Sequence, residues 1–234
     1  MYIVPVFTPQ VLTEDIFATY GGTSGTASAA QLNASFCIGE QRVQQELCTP
    51  LVPTQITGSM GAYKVHLLAY YQPFTLPHVH LRSVDDVRLV CEVGCTDCAV
   101  EEHEACVHIK NYMSSIVELR LLCTTFCGTC GTCGTPLNFR IEYTAGLDPG
   151  VAANAPAILH ALTIAADISL EQIIDPGASE GGPGDPGVQK WGSITYKEER
   201  TKLRHTALGS SARANYAAGL LQPWKVKRAL KVGW

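Results

Sequence analysis

Eight of the chain's ten cysteines fall in one stretch: Cys91, Cys95, Cys98, Cys106, Cys123, Cys127, Cys130 and Cys133. The order is C-x3-C-x2-C, an isolated cysteine, then C-x3-C-x2-C-x2-C, so the half-pattern C-x3-C-x2-C recurs from Cys91 and from Cys123. Thiolates two residues apart grip one metal ion, and two such pairs on facing turns make the tetrahedral cage of a zinc ribbon. This constrains any fold for the sequence: the two cysteine turns must end up side by side. The expected ligands are four of Cys95, Cys98, Cys127, Cys130 and Cys133, with a second ion drawing on Cys91, Cys106 and Cys123. Gly128, Gly131 and Gly134 let the second turn curl around a ligand.

The N-terminus, Met1-Tyr2-Ile3-Val4-Pro5, lacks a basic region and a cleavage site. Without a secretion signal, cysteines at this density point to a reducing compartment, where structural zinc is favoured over disulfides. Disulfides formed later and plain packing thiols are the alternatives. Catalysis at the cluster is disfavoured. His103 lies between the cysteine groups with Glu101, Glu102 and Glu104, but no glutamate sits two positions after it and no P-C-x-x-C follows. Glu101–Glu104 reads as a solvated loop. His78 and His80, two apart in an extended segment, would share a face; two exposed histidines at a strand edge is the commoner meaning of such a pair. No nucleophile elbow or phosphate loop is present, and Gly181-Gly-Pro-Gly184 has a proline where an amide would be needed. The chain therefore reads as a non-enzyme.

Charged residues make up only 16% of 234 residues, against a usual share of about a quarter. So little charge suits a surface covered by partners, as in an assembly subunit. The net charge of −4 gives no global attraction to nucleic acid. No apolar run is expected to span a bilayer. Basic residues gather at the end, with Lys225, Lys227, Arg228 and Lys231 in the last ten.

The periodicity predicts an α+β fold: a helical core, an inserted β-rich, cysteine-rich region, and an extended C-terminal arm. Residues 1–58 form an N-terminal segment and helix pair. Thr13 caps a short first helix. A second helix runs from about Ser28 to Leu47, with Leu32, Phe36, Val43 and Leu47 on one stripe. Residues 59–145 form the β-rich insertion, with strands over Val65–Tyr71, Val84–Val93, Ile116–Cys123 and around Phe139/Ile141/Tyr143. A core helix in 146–174 opens at Pro156. Residues 175–187 are a Gly/Pro hinge. Residues 188–234 hold an extended arm, a terminal helix and a basic tail, and their deletion is expected to leave a folded core.

Three segments resemble the head–tail connector (adaptor, or neck) proteins of tailed bacteriophages. Leu12-Thr-Glu-Asp-Ile-Phe-Ala-Thr-Tyr-Gly21, with the helix ending Val43-Gln-Gln-Glu-Leu-Cys48, looks like the family's opening helix pair. Phe139-Arg-Ile-Glu-Tyr-Thr-Ala-Gly146, leading into Pro156-Ala-Ile-Leu, resembles its strand and core helix. Trp191-Gly-Ser-Ile-Thr-Tyr196 followed by Ala218-Gly-Leu-Leu-Gln-Pro-Trp224 resembles its extended arm and closing signature. Together they cover about half the chain; the cysteine-rich middle is not general to the family. The resemblance implies a structural virion protein of the neck, assembled in the host cytoplasm. It implies a homo-oligomeric ring, a dodecamer, between the portal protein and a tail or neck protein.

In that reading Trp191, Tyr196, Trp224, Lys225, Lys227, Arg228, Lys231 and Trp234 dock on the portal, and the tail cations also face packaged DNA. No membrane is involved, and zinc is the one expected cofactor, in a structural role. The rival reading is a cytosolic zinc-ribbon module that binds nucleic acid or protein as a monomer.

Overall fold

Two long helices carry the architecture of the computed structural model, which describes residues 6–60, 74–91, 101–104, 106–120, 137–175, 206–209 and 211–226. α1 (Glu14–Thr19) starts where the Thr13 hydroxyl accepts from the Ile16 amide, with Glu14 and Asp15 in its first turn. α2 (Ala29–Leu47) opens with a reciprocal capping box between Ser28 and Gln31 and closes on Cys48 at φ 55°. After a strand-rich stretch come α3 (Val151–Asn154) and α4 (Pro156–Ile174), the latter led by proline in its first turn. α5 (Ala212–Leu220) is capped by Ser211, whose hydroxyl accepts from the Ala214 amide at 3.1 Å. A short 3-10 turn, Gln222–Trp224, follows.

These elements form one unit, Ile3–Val52 with Leu147–Lys225. Its core is the expected stripe of Leu32, Phe36, Val43 and Leu47 with Ile158, Leu162, Ala165 and Ile168, all buried. The α2–α4 crossing is close because Gly39 faces Ala166: a Cβ on Gly39 would stand 2.8 Å from the Ala166 amide nitrogen. By length and composition α4 is apolar enough to cross a membrane, contrary to the sequence expectation. That apolarity has a simpler cause, since ten of its residues are packed inside this unit.

The expected detachable arm is corrected here. Leu208 and Leu221 are fully buried, as are Ala214 and Ala217 of α5, all in the same core cluster as α2 and α4. The terminal helix is part of the helical core, because its alanine face is what seals α4.

The second unit is built mainly from Pro53–Gly146. Its strands are β1 (Thr54–Met60), β2 (Phe74–Thr75), β3 (Leu81–Cys91), β4 (Glu101–Glu104), β5 (Cys106–Asn111), β6 (Ile116–Arg120) and β7 (Leu137–Ala145). One antiparallel sheet has the order β1-β7-β3-β4, the other β2-β6-β5. β1 thus begins before the boundary expected at residue 58, and Glu101–Glu104 is a strand paired with β3 rather than a solvated loop. The strand expected over Val65–Tyr71 lies outside the described residues. The β5–β6 turn is tied back to the start of β3: the His80 and Leu81 amides donate to the Met113 and Tyr112 carbonyls.

The histidine pair is also corrected. His78 is buried, and its Nδ1 lies 2.8 Å from the Tyr143 hydroxyl. His80 has φ 58°, outside any strand, so the two do not share an extended face.

Candidate functional site

Three places gather the charged, polar or thiol side chains from which a site could be built. The first is an N-terminal strap. The amides of Gln10, Val11 and Leu12 all donate to the Glu40 carboxylate, at 2.7–3.0 Å. Glu40 is fully buried on α2, and Val11 and Leu12 enter the core beside it. Burial pushes its carboxyl above the ordinary range, and the three amides pull it back without cancelling that effect. Burial, with the neighbouring Glu40, likewise raises the Cys37 thiol. The strap was not foreseen from sequence. The available signal was position: Glu40 lies four residues after Phe36, on the apolar stripe, where an acid needs a buried partner.

The second place is the anchorage of the C-terminal segment. The Glu46 carboxylate accepts from the Ala207 amide at 2.8 Å and is paired with Lys225 Nζ. One acid of α2 thus holds residues on both sides of α5. Arg213 on α5 forks onto Glu171 and Asp167 of α4. Trp224 packs half-buried on the core's margin. Two of the expected docking residues, Trp224 and Lys225, are therefore engaged within the subunit. The other six, Trp191, Tyr196, Lys227, Arg228, Lys231 and Trp234, lie outside the described residues.

The third place is one end of the larger sheet. Cys91, the last residue of β3, is paired by register with Glu101 at the start of β4 and Leu137 at the start of β7. Cys106 opens β5 opposite Arg120, the last residue of β6. Residues 92–100 connect β3 to β4, and residues 121–136 connect β6 to β7. Both cysteine-bearing connections thus have an end anchored next to Cys91. Cys95, Cys98, Cys123, Cys127, Cys130 and Cys133 lie in those connections, outside the described residues. Among the described residues, no group of three or more His, Cys, Asp or Glu is placed to hold a metal ion.

No family model matches the chain. No curated protein sequence matches it either. Among solved structures it is similar to a chain in the neck of an empty gene transfer agent (GTA) particle, computed with C6 symmetry. The identity is 14% and the TM-score 0.51, over 99% of this chain and 98% of that one. A chain in the virion of the native gene transfer agent particle is similar to the same degree, with 14% identity, TM-score 0.51 and the same coverage. Likeness at this identity shows a shared α+β fold.

Proposed function

We propose that this chain is a structural subunit of the neck of a tailed, phage-like particle, a head–tail adaptor that forms a ring of identical copies between portal and tail. The observation that carries this reading is the end-to-end likeness to a neck chain, 99% of one and 98% of the other. It agrees with the resemblance of the three sequence segments and with the low charge of the chain. The six-fold symmetry named for the neighbouring neck supports a closed ring and is compatible with the dodecamer that the resemblance implies.

The protein works by binding, without turnover. A ring of identical subunits needs head-to-tail contacts, and many modest contacts around a ring add up to effectively permanent attachment. In this reading the chain leaves a pinned base at Lys225, and residues 226–234, with Trp191 and Tyr196, reach the portal. The cations Lys227, Arg228 and Lys231 also line the DNA path. The adaptor is assembled in the host cytoplasm and resides in the virion neck.

The test is electron microscopy of the purified protein and its parent particle, with the mass in solution. Rings, and density for this chain between portal and tail, are expected. A monomer that binds duplex DNA in a salt-dependent manner would overturn the reading in favour of the zinc-ribbon module.

We also propose a structural thiolate–zinc site in the β unit. Support comes from the C-x2-C spacing together with the register that anchors both cysteine connections beside Cys91. Four of Cys95, Cys98, Cys127, Cys130 and Cys133 would hold the ion, and Cys91, Cys106 and Cys123 a second one. Such an ion would join the two connections to each other. Elemental analysis of the reduced protein should find at least one zinc per chain; less than about half an equivalent of a four-ligand site counts against it. Disulfides mapped among these residues would replace it.

A further inference from the structure

Strand register puts a cysteine, a carboxylate and an imidazole on one face at one end of the larger sheet. Ladder partners share a face, and faces alternate along each strand. On one face Ile56 stands opposite Tyr143 and Val87 opposite Ile141, and all four are buried. Toward the strand ends the same face continues through the pair Leu89 and Phe139 to the pair Cys91 and Leu137. The other face takes the charge, with Asp86 opposite Glu142 and Arg88 opposite Arg140. β4 breaks this division. Its register sets Glu102 and Glu104 on the charged face, but His103 opposite Leu89 and Glu101 opposite Cys91, on the apolar one. The side chains of residues 88–91, 101–104 and 137–139 lie outside those described, and register alone assigns their face.

We infer that Cys91, Glu101 and His103 form a mixed thiolate, carboxylate and imidazole site for a zinc ion, which clips β4 to the end of β3. Residues directly opposite on paired strands have Cβ atoms about 4.5–5.5 Å apart, and residues two apart on one strand are about 6.6 Å apart. Metal–ligand bonds of about 2.0–2.3 Å let one ion reach all three. The three are of the types that bind zinc, and they leave one tetrahedral position for water. A carboxylate on an apolar face is costly unless it is paired or coordinates a metal, and the ion supplies that compensation. The inference rests on the zinc reading for Cys91 alone, and it gives that residue Glu101 and His103 as partners in place of Cys106 and Cys123. Register favours them. Cys106 follows Glu104, which pairs with Arg88, so it comes after the end of β4 that is remote from Cys91.

The experiment loads reduced, full-length protein with cobalt(II) in place of zinc and counts bound ions by elemental analysis. Wild type is compared with Cys91→Ser, Glu101→Ala, His103→Ala and Cys106→Ser, and melting curves establish that each is folded. The first three should each bind one ion fewer than wild type, and Cys106→Ser the same number. That difference is read whether or not the four-cysteine cage holds an ion of its own. A folded Glu101→Ala or His103→Ala that keeps the wild-type number overturns the inference. Loss of an ion from Cys106→Ser also overturns it, in favour of the all-cysteine second site. X-ray absorption at the zinc edge of the wild type needs no variant: imidazole scattering is expected beside the sulfur shell, and sulfur alone overturns the site. An ion that Cys130→Ser loses and His103→Ala keeps leaves the cage standing without this site. A wild type that binds no ion overturns both.

Discussion

A single carboxylate, Glu40, ties residues 10–12 into the fold. It is buried, and its compensation comes from the three strap amides. Glu40→Ala leaves those donors unsatisfied at about 1–3 kcal/mol each, so a loss of at least about 3 kcal/mol is expected in urea unfolding. Glu40→Gln should cost less, since Oε1 alone accepts from all three residues and only the second Gln10 contact, to Oε2, would meet an amide group. The pH dependence has an uncommon sign. The folded carboxyl titrates above its ordinary value of about 4.3, so the folded state holds the proton more tightly than the unfolded chain. The stability of wild type relative to Glu40→Gln should therefore rise as pH falls through the raised value, and level off below the ordinary one. A fall instead would show that the amides outweigh burial. Gly39→Ala should destabilise by about 1–3 kcal/mol, despite alanine's better helix propensity, because the new methyl meets the backbone of Ala166, which cannot step aside. Thermal melting of that variant is the check.

At the scale of elements, α5 and the turn before it behave as core. Removing everything after residue 205 would expose the α4 face now covered by Leu208, Ala214, Ala217 and Leu221. Each leucine lost from such a site costs about 2–5 kcal/mol, so the truncated protein should unfold at much lower denaturant or fail to fold. A similar argument applies in the β unit: Tyr143→Phe takes the hydroxyl from His78 and should cost about 1–3 kcal/mol, read by chemical denaturation.

The two long helices were readable because their apolar residues recur at helical spacing and their caps are spelled out at Ser28 and Pro156. β1 was not, because in Thr-Gln-Ile-Thr-Gly-Ser-Met only Ile56 marks the buried side before the end of the strand. β4 was hidden by its charge, since a strand of Glu-Glu-His-Glu is defined by pairing with β3 and carries no apolar alternation. Leu208 sits in a turn closed by Thr206 and Gly209, where no period could announce it. The partner of His78 lies 65 residues away, beyond the reach of local pattern.

For the whole molecule, the cysteine spacing is the clearest chemical signal in the sequence, but among the described residues register places only Cys91 and Cys106 of that cluster. The Glu40 and Glu46 anchors were invisible, because they join residues 28 to 179 positions apart. Of the expected docking residues, Trp224 and Lys225 are packed within the subunit, which the sequence did not announce because Lys225 pairs with Glu46, 179 positions away. The architecture also has a bearing on how such a chain diversifies. The β unit interrupts the helical one, and its first and last strands are neighbours, with Thr54 directly opposite Ala145. A segment that leaves and returns through adjacent residues can be exchanged without stretching what it interrupts. The cysteine-rich region is then a replaceable cassette, and a variant in which a two-residue turn joins Thr54 to Ala145 should still yield a folded helical body. The same gate would accept a foreign domain whose own ends lie close together.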